Sequence, residues 1–179
     1  MGSLLIYIIT HPPAPKYFAT SIDGRITPII PLKEKNQTDA QIYQWSTKAA
    51  VAAFSFNFVN YREELEAASG FYTANGWRQF QNALQGSGML DLVTNQKLVV
   101  SAVPTGAPQI IKQGTLADGR YAWRIRLPLF VNLQNSSNYY SPKNFVVTML
   151  VVRVSTLNAP RGIGIQQFLV SEAGSGATG

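Results

Sequence analysis

The chain contains no cysteine. Disulfides, thiolate zinc sites and cysteine nucleophiles are therefore excluded, while the redox compartment stays open. Histidine occurs once, as His11 in a proline-rich stretch, so a Ser-His-Asp machine or a His-rich metal site would have to be built around that one imidazole. Charge is scarce as well: Asp, Glu, Lys and Arg make up 13% of the residues, roughly half the usual share. Asn, Gln, Ser, Thr and Gly must cover much of the surface, which leaves little charge to oppose contacts between subunits. There is no GxGxxG and no P-loop, because Gly162-Ile163-Gly164-Ile165 lacks the third glycine and the following helix.

What charge there is leans basic, with 15 Lys and Arg against 9 Asp and Glu and a formal charge of +6. That balance permits nucleic acid, anionic lipid or acidic protein as partners. The basic residues are dispersed without a run of three, so charge alone assigns none of these.

The last third of the chain follows the alternation of an antiparallel sheet. From Tyr121 to Leu133 every odd position is apolar, while Arg124, Arg126, Asn132 and Gln134 stand at even ones. Period two sends one face to a core and the other to water or a partner. Five strands are predicted, at 96–103, 108–116, 120–134, 144–157 and 163–170. Asp118-Gly119 marks a hairpin turn between the second and third. Pro128 cannot donate to a ladder and predicts a bulge or bend in the long strand.

Helices are predicted to precede this sheet. Asp39 is the candidate N-cap of a helix whose apolar stripe steps through Ile42, Trp45, Ala49, Ala52, Phe56 and Val59, nearly five turns. A shorter helix runs from Asn60 to Ala68, with Gly70 suited to a left-handed cap. A third covers Ala74 or Asn75 to Gln85, and Met89–Val93 adds one turn. Helices followed by antiparallel strands define an α+β fold, N-terminal helices packed on a curved antiparallel sheet.

The N-terminal part divides further. Leu4–Ile9 is an apolar run of six residues, reaching about 9 Å as a helix against roughly 30 Å of hydrocarbon. It cannot span a membrane, and it lacks the basic flank and cleavage site of a signal peptide. Residues 1–9 are expected to be the end of a truncated transmembrane helix with tag residues Met1-Gly2-Ser3; a short edge strand or buried arm is the alternative. Residues 10–38 hold five of the ten prolines and form an extended stalk with a hairpin around Asp23-Gly24. The folded domain then covers 39–171, and 172–179 form a flexible tail.

Candidate chemistry is thin. Glu63, Glu64 and Glu66 fit a solvated helix face. Asp91, in Met89-Leu90-Asp91-Leu92-Val93, is the one carboxylate set among apolar neighbours, where a raised pKa would suit a general base. A turn-capping role explains it more simply. Arg120, Arg124 and Arg126 are expected to share one strand face within roughly 20 Å, with Arg153 and Arg161 further basic residues of the region. They form a possible contact surface for a protein partner or a phosphate backbone; a solvated outer face is the alternative. No catalytic, cofactor-binding or metal-ligating residue is identified.

Taken together, several segments resemble the DotI/IcmL family. They are Lys16-Tyr17-Phe18-Ala19-Thr20, then Gly24-Arg25-Ile26 with Pro28-Ile29-Ile30-Pro31-Leu32, then Trp45 with the alanine-rich stretch Ala49–Phe58. The closing run Asn158-Ala159-Pro160-Arg161-Gly162-Ile163-Gly164-Ile165-Gln166-Gln167-Phe168 is the most specific. The resemblance extends over residues 10–170. This family and its conjugative relative TraM are inner-membrane components of type IVB secretion (Dot/Icm) and conjugation machines. The resemblance implies one transmembrane helix in the bacterial inner membrane and a soluble domain in the periplasm. It implies a fold like VirB-type periplasmic domains, within the nuclear-transport-factor-two-like superfamily. It further implies a non-enzymatic structural subunit without cofactors, whose partners are itself and other secretion subunits, with nucleic acid not directly bound. Because that superfamily also holds enzymes, a cone-fold enzyme or small-ligand binder with an internal pocket around Asp91 is the alternative.

Overall fold

The computed structural model describes residues 18–20, 26–28 and 30–173. Residues 1–31 and 32–179 are two units. In the first, strands β1 (Phe18–Thr20) and β2 (Ile26–Pro28) pair antiparallel with Ala19 opposite Thr27, as expected for the arms of a hairpin. The expected membrane-helix end (1–9), the Asp23-Gly24 turn and residues 174–179 lie outside the described residues. No helix among the described residues is long and apolar enough to cross a membrane.

The second unit opens with helix α1 (Asp39–Ala53). Its N-cap is Thr38 rather than Asp39. The Thr38 hydroxyl accepts from the Gln41 N–H at 3.2 Å, and the Gln41 side chain accepts from the Thr38 N–H at 2.8 Å. This reciprocal box satisfies two donors that a helix start otherwise leaves open. The helix stops four turns along, short of the predicted Val59. The Ser55 hydroxyl bonds back to the Val51 carbonyl at 2.6 Å, and Phe56–Asn57 become a short strand, β3, against Val99 and Val100. Phe56 is thus buried by strand pairing, and Val59 is left exposed.

Helix α2 (Tyr61–Ser69) packs on α1 and is held to β3 by Glu64, whose carboxylate accepts from the Asn57 N–H and side-chain amide at 2.8 and 2.9 Å. Gly70 at its end is right-handed (φ −61°), not the expected left-handed cap. Helix α3 (Ala74–Gly86) starts on Thr73, and α4 (Met89–Gln96) is a complete helix rather than the single expected turn. Gly88 between them takes φ +73°, a conformation that costs glycine nothing.

Strands β4 (Val99–Pro104), β5 (Gln109–Thr115), β6 (Tyr121–Gln134), β7 (Lys143–Arg153) and β8 (Ile163–Glu172) form, with β3, a curled antiparallel sheet in the order β3-β4-β6-β7-β8. β5 adds to β6 alongside β4. The long β6 is the spine: β5 pairs with its first half through Arg126 and β4 with its second half from Leu129. Pro128 sits where one neighbour gives way to the other. Its carbonyl accepts from Thr105 on that side at 3.1 Å, so its missing donor points into a gap in the ladder and no bulge is needed there. The bulges fall instead at Ile110/Lys112 and Leu150/Val151.

The odd positions of β6 face inward as predicted, with Trp123, Ile125, Leu127, Leu129 and Val131 all fully buried. Val147, Met149 and Val151 of β7 join them against Ile42, Ala49, Ala50 and Ala53 of α1. Alanines on the helix let it approach the large residues on the sheet.

Candidate interaction surfaces

Trp123, Phe56, Met149 and the aliphatic residues around them fill the concave side of the sheet. Asp91 is not among them. It is exposed in the first turn of α4, beside a shallow surface depression shared with Tyr61, Gln85 and Thr94. The internal pocket around Asp91 is therefore not formed, and the alternative built on it loses its site. Among the described residues no group of acidic or histidine side chains could hold a metal ion. Three buried side-chain polar atoms lack partners among the described residues: Asn36 Oδ1, the Tyr72 hydroxyl and the Trp123 indole nitrogen. Burial pushes the Tyr72 phenol far above its ordinary range.

The expected arginine face separates into three environments. Arg124 and Arg126 lie exposed on the outer, helix-free face of β6. Arg120 precedes the strand and belongs to the turn, where its guanidinium holds Asp118 at 2.8 and 2.6 Å. That contact keeps the Asp118 carboxyl below its ordinary pKa. Arg161 is exposed in the loop after β7, and its carbonyl accepts from the side chains of Asn36 and Gln37 at 2.8 and 3.1 Å. The member added by the structure is Lys112 of β5, directly opposite Arg124.

Arg153 has a different task. It is 3% exposed, donating from Nε to the Gly162 carbonyl at 3.1 Å and from Nη1 to the Glu34 carbonyl at 2.7 Å. Burial lowers its pKa, opposed by the charge of Glu34. Together with Asn36, Gln37 and the Tyr121 N–H on the Leu32 carbonyl (2.8 Å), it fastens residues 32–37 to the body. Those residues, expected in the stalk, belong to the domain. The only sequence signal for this is an arginine ending an otherwise apolar strand.

The closing run earns its place by backbone geometry. Gly162 takes φ +67°, and Gly164 lies where a Cβ would press on Thr73. Ile165 exchanges backbone hydrogen bonds with Phe71 and Thr73 at 2.8 and 3.0 Å, which covers the start of the β8 edge. Further along β8, Phe168 joins Phe54, Phe80, Phe145 and Met89 around an apolar groove of about 420 Å³.

Helices on one face of a curled antiparallel sheet, with a filled interior, define an α+β fold of the kind seen in VirB8 homologs. The family model for the type-IV b secretion system, inner-membrane complex component, matches residues 1–172. The chain belongs to this DotI/IcmL family. It is similar to the periplasmic domain of DotI, with 56% identity and a TM-score of 0.74 over 76% of this chain and 97% of that one. A periplasmic fragment of TraM matches at 26% identity and TM-score 0.71, covering 76% and 98%. CagV, a VirB8 homolog from Helicobacter pylori strain 26695, shares the fold at 12% identity and TM-score 0.56, covering 75% and 99%. Comparison with curated proteins gave no match.

Proposed function

We propose that the chain is the periplasmic part of a single-pass inner-membrane subunit in a type IVB secretion or conjugation apparatus. It acts without catalysis, through self-association and contacts with other envelope subunits that let substrate cross the envelope. The observation that carries this is the 56% identity to the DotI periplasmic domain over 97% of that chain. The filled interior supports a role on outer surfaces. Anchoring by a membrane helix raises local concentration, so the isolated domain associates weakly while the anchored one assembles.

Site-directed photocrosslinking of the full-length protein in its own membrane tests this, with probes across the outer sheet face and residues 16–32. Specific adducts with itself or with other envelope subunits are expected. Clean probe incorporation without adducts, beside a working positive control, would refute the assembly role.

A further inference from the structure

The outer face of the sheet carries an electrostatic conflict. Lys112 and Arg124 are cross-strand partners, and Arg126 follows two residues on. Like charges directly opposite one another destabilise a sheet. By register, the strand positions sharing the Arg124 face are Val99, Ser101 and Val103 on β4, Asn144 to Leu150 in alternation on β7, and Gln167, Leu169 and Ser171 on β8. None is Asp or Glu, and nearby Asp118 is already taken by Arg120. Neither cation has a hydrogen-bonded or ion-paired partner among the described residues.

Beside Lys112 and Arg124, which help to line it, lies a depression of about 280 Å³. It exists because Gly114 and Ala122 face each other across the same ladder and fill almost nothing. Leu150 lines one side and the Thr115–Ala117 segment another, with Lys112 and Arg124 on the rim. An unpaired cationic rim around a partly apolar recess suits a carboxylate carried on a short alkyl stem.

The chain also presents a matching group. On α2, Glu64 is consumed by Asn57, but Glu63 and Glu66 are exposed and, among the described residues, unpaired, one turn apart. Arg62 beside them lies over the Tyr61 ring at 5.3 Å. Ala67 and Val59 complete an exposed, small-sided surface around the two carboxylates. Because α2 packs on α1, it lies on the helix side of the sheet, opposite the Lys112–Arg124 recess. One copy cannot bring the two together; two copies can.

We infer that the Lys112–Arg124 recess receives the Glu63–Glu66 face of α2 from a second copy of the chain, so that copies join head to tail. This rests on the self-association proposed above and specifies its geometry. A contact between two different patches is heterologous and propagates, closing into a ring or extending into a filament.

Residues 1–179 contain no cysteine, so within them the introduced thiols are the only ones, and the unaltered full-length protein oxidised alongside serves as the control. Glu66→Cys and Arg124→Cys are introduced separately into the full-length protein in its own membrane, and mild oxidation is applied to each alone and to both co-expressed. A disulfide-linked pair is expected only on co-expression. Arg124→Glu, or Lys112→Glu as a second variant, should lower photocrosslinked self-adducts about tenfold. Adding Glu66→Arg to Arg124→Glu should restore them. All these positions are exposed or on the sheet surface, so folding is checked by circular dichroism alone. Self-adducts that persist unchanged in Arg124→Glu overturn the inference and leave self-association standing. Absence of all self-adducts in the unaltered protein overturns both. A shift of Lys112 and Arg124 resonances on adding inorganic phosphate, without a mixed disulfide, identifies an anion site instead and overturns the second-copy occupant.

Discussion

One substitution made at two points of α3 should change stability in opposite directions. Gly76 is the third residue of the helix, its N–H donating to the Thr73 hydroxyl at 3.0 Å. Alanine in a helix is ordinarily worth about 1 kcal/mol over glycine. At Gly76, however, a Cβ would overlap the Ile165 carbonyl and lie within 3.2 Å of the Gln166 carbonyl carbon. The obstacle is backbone, fixed on both sides: Ile165 bonds Phe71 and Thr73, and pairs with Val151 of β7. Making room means shifting α3 from β8 or breaking hydrogen bonds worth roughly 1 kcal/mol each, on top of an overpacking cost of about 1–3 kcal/mol. The clash outweighs the propensity. Gly76→Ala should therefore lose about 2–3 kcal/mol net, a fall of roughly 5–10 °C in Tm. Gly86 ends the same helix, and the place a Cβ would take there has nothing within 4 Å. Gly86→Ala should gain about 0.5–1 kcal/mol. Thermal melts followed by helical circular dichroism, with urea midpoints alongside, measure both. A neutral or stabilising Gly76→Ala would refute the close approach of α3 to β8.

Tyr72→Phe removes a buried hydroxyl without a partner and should stabilise the fold by about 1 kcal/mol. Its phenol pKa is raised above 10.0 in the fold, so stability is intact below pH 10 and falls above it as the unfolded chain sheds the proton first, by up to about 1.4 kcal/mol per pH unit; the variant should lack that alkaline slope in pH-dependent urea melts. Arg153→Met should cost about 2 kcal/mol, since the charge-assisted bonds to the Gly162 and Glu34 carbonyls are lost while a buried charge is relieved, and hydrogen exchange should quicken at residues 33–37; unchanged exchange there would contradict the tether. Arg124→Glu turns a cross-strand repulsion with Lys112 into an attraction and should stabilise the domain by about 0.2–1 kcal/mol, less at high salt; a destabilised variant in the same melts would show that Arg124 serves the fold.

Sequence alone made the spine of this fold legible because β6 buries one face against a continuous core, and a period of two then fixes the face of each residue from Tyr121 to Leu133. Parity does not report the local partner of Arg120. That residue lies one position before the strand, where Asp118 holds its guanidinium. The helix stripe is over-extended for a related reason: Phe56 is apolar at helical spacing, yet its burial comes from Val100, far along the chain. No local pattern reports such a partner. Lys112 joins Arg124 only through the β5–β6 register with its bulge at Ile110/Lys112, and the recess beside them depends on Gly114 meeting Ala122. Each is unremarkable in sequence, and only their pairing makes a site.

Stability and recognition draw on different parts of this polar inventory. Arg153, Glu64, Thr38 and Thr73 hold backbone to backbone, each bonding to main-chain groups that would otherwise lose a partner. Removing such groups leaves orphaned buried atoms, which is costly. The side chains of Lys112, Arg124, Glu63 and Glu66 bond to nothing among the described residues, and isolated exposed charges add little to folding. In a chain with so few charges, an opposed pair of cations around a recess is a local strain on stability that the fold itself does not require. A partner carboxylate would convert that strain into binding energy, and the chain's own acidic helix can supply one only from a second copy, since it and the basic recess lie on opposite sides of one sheet.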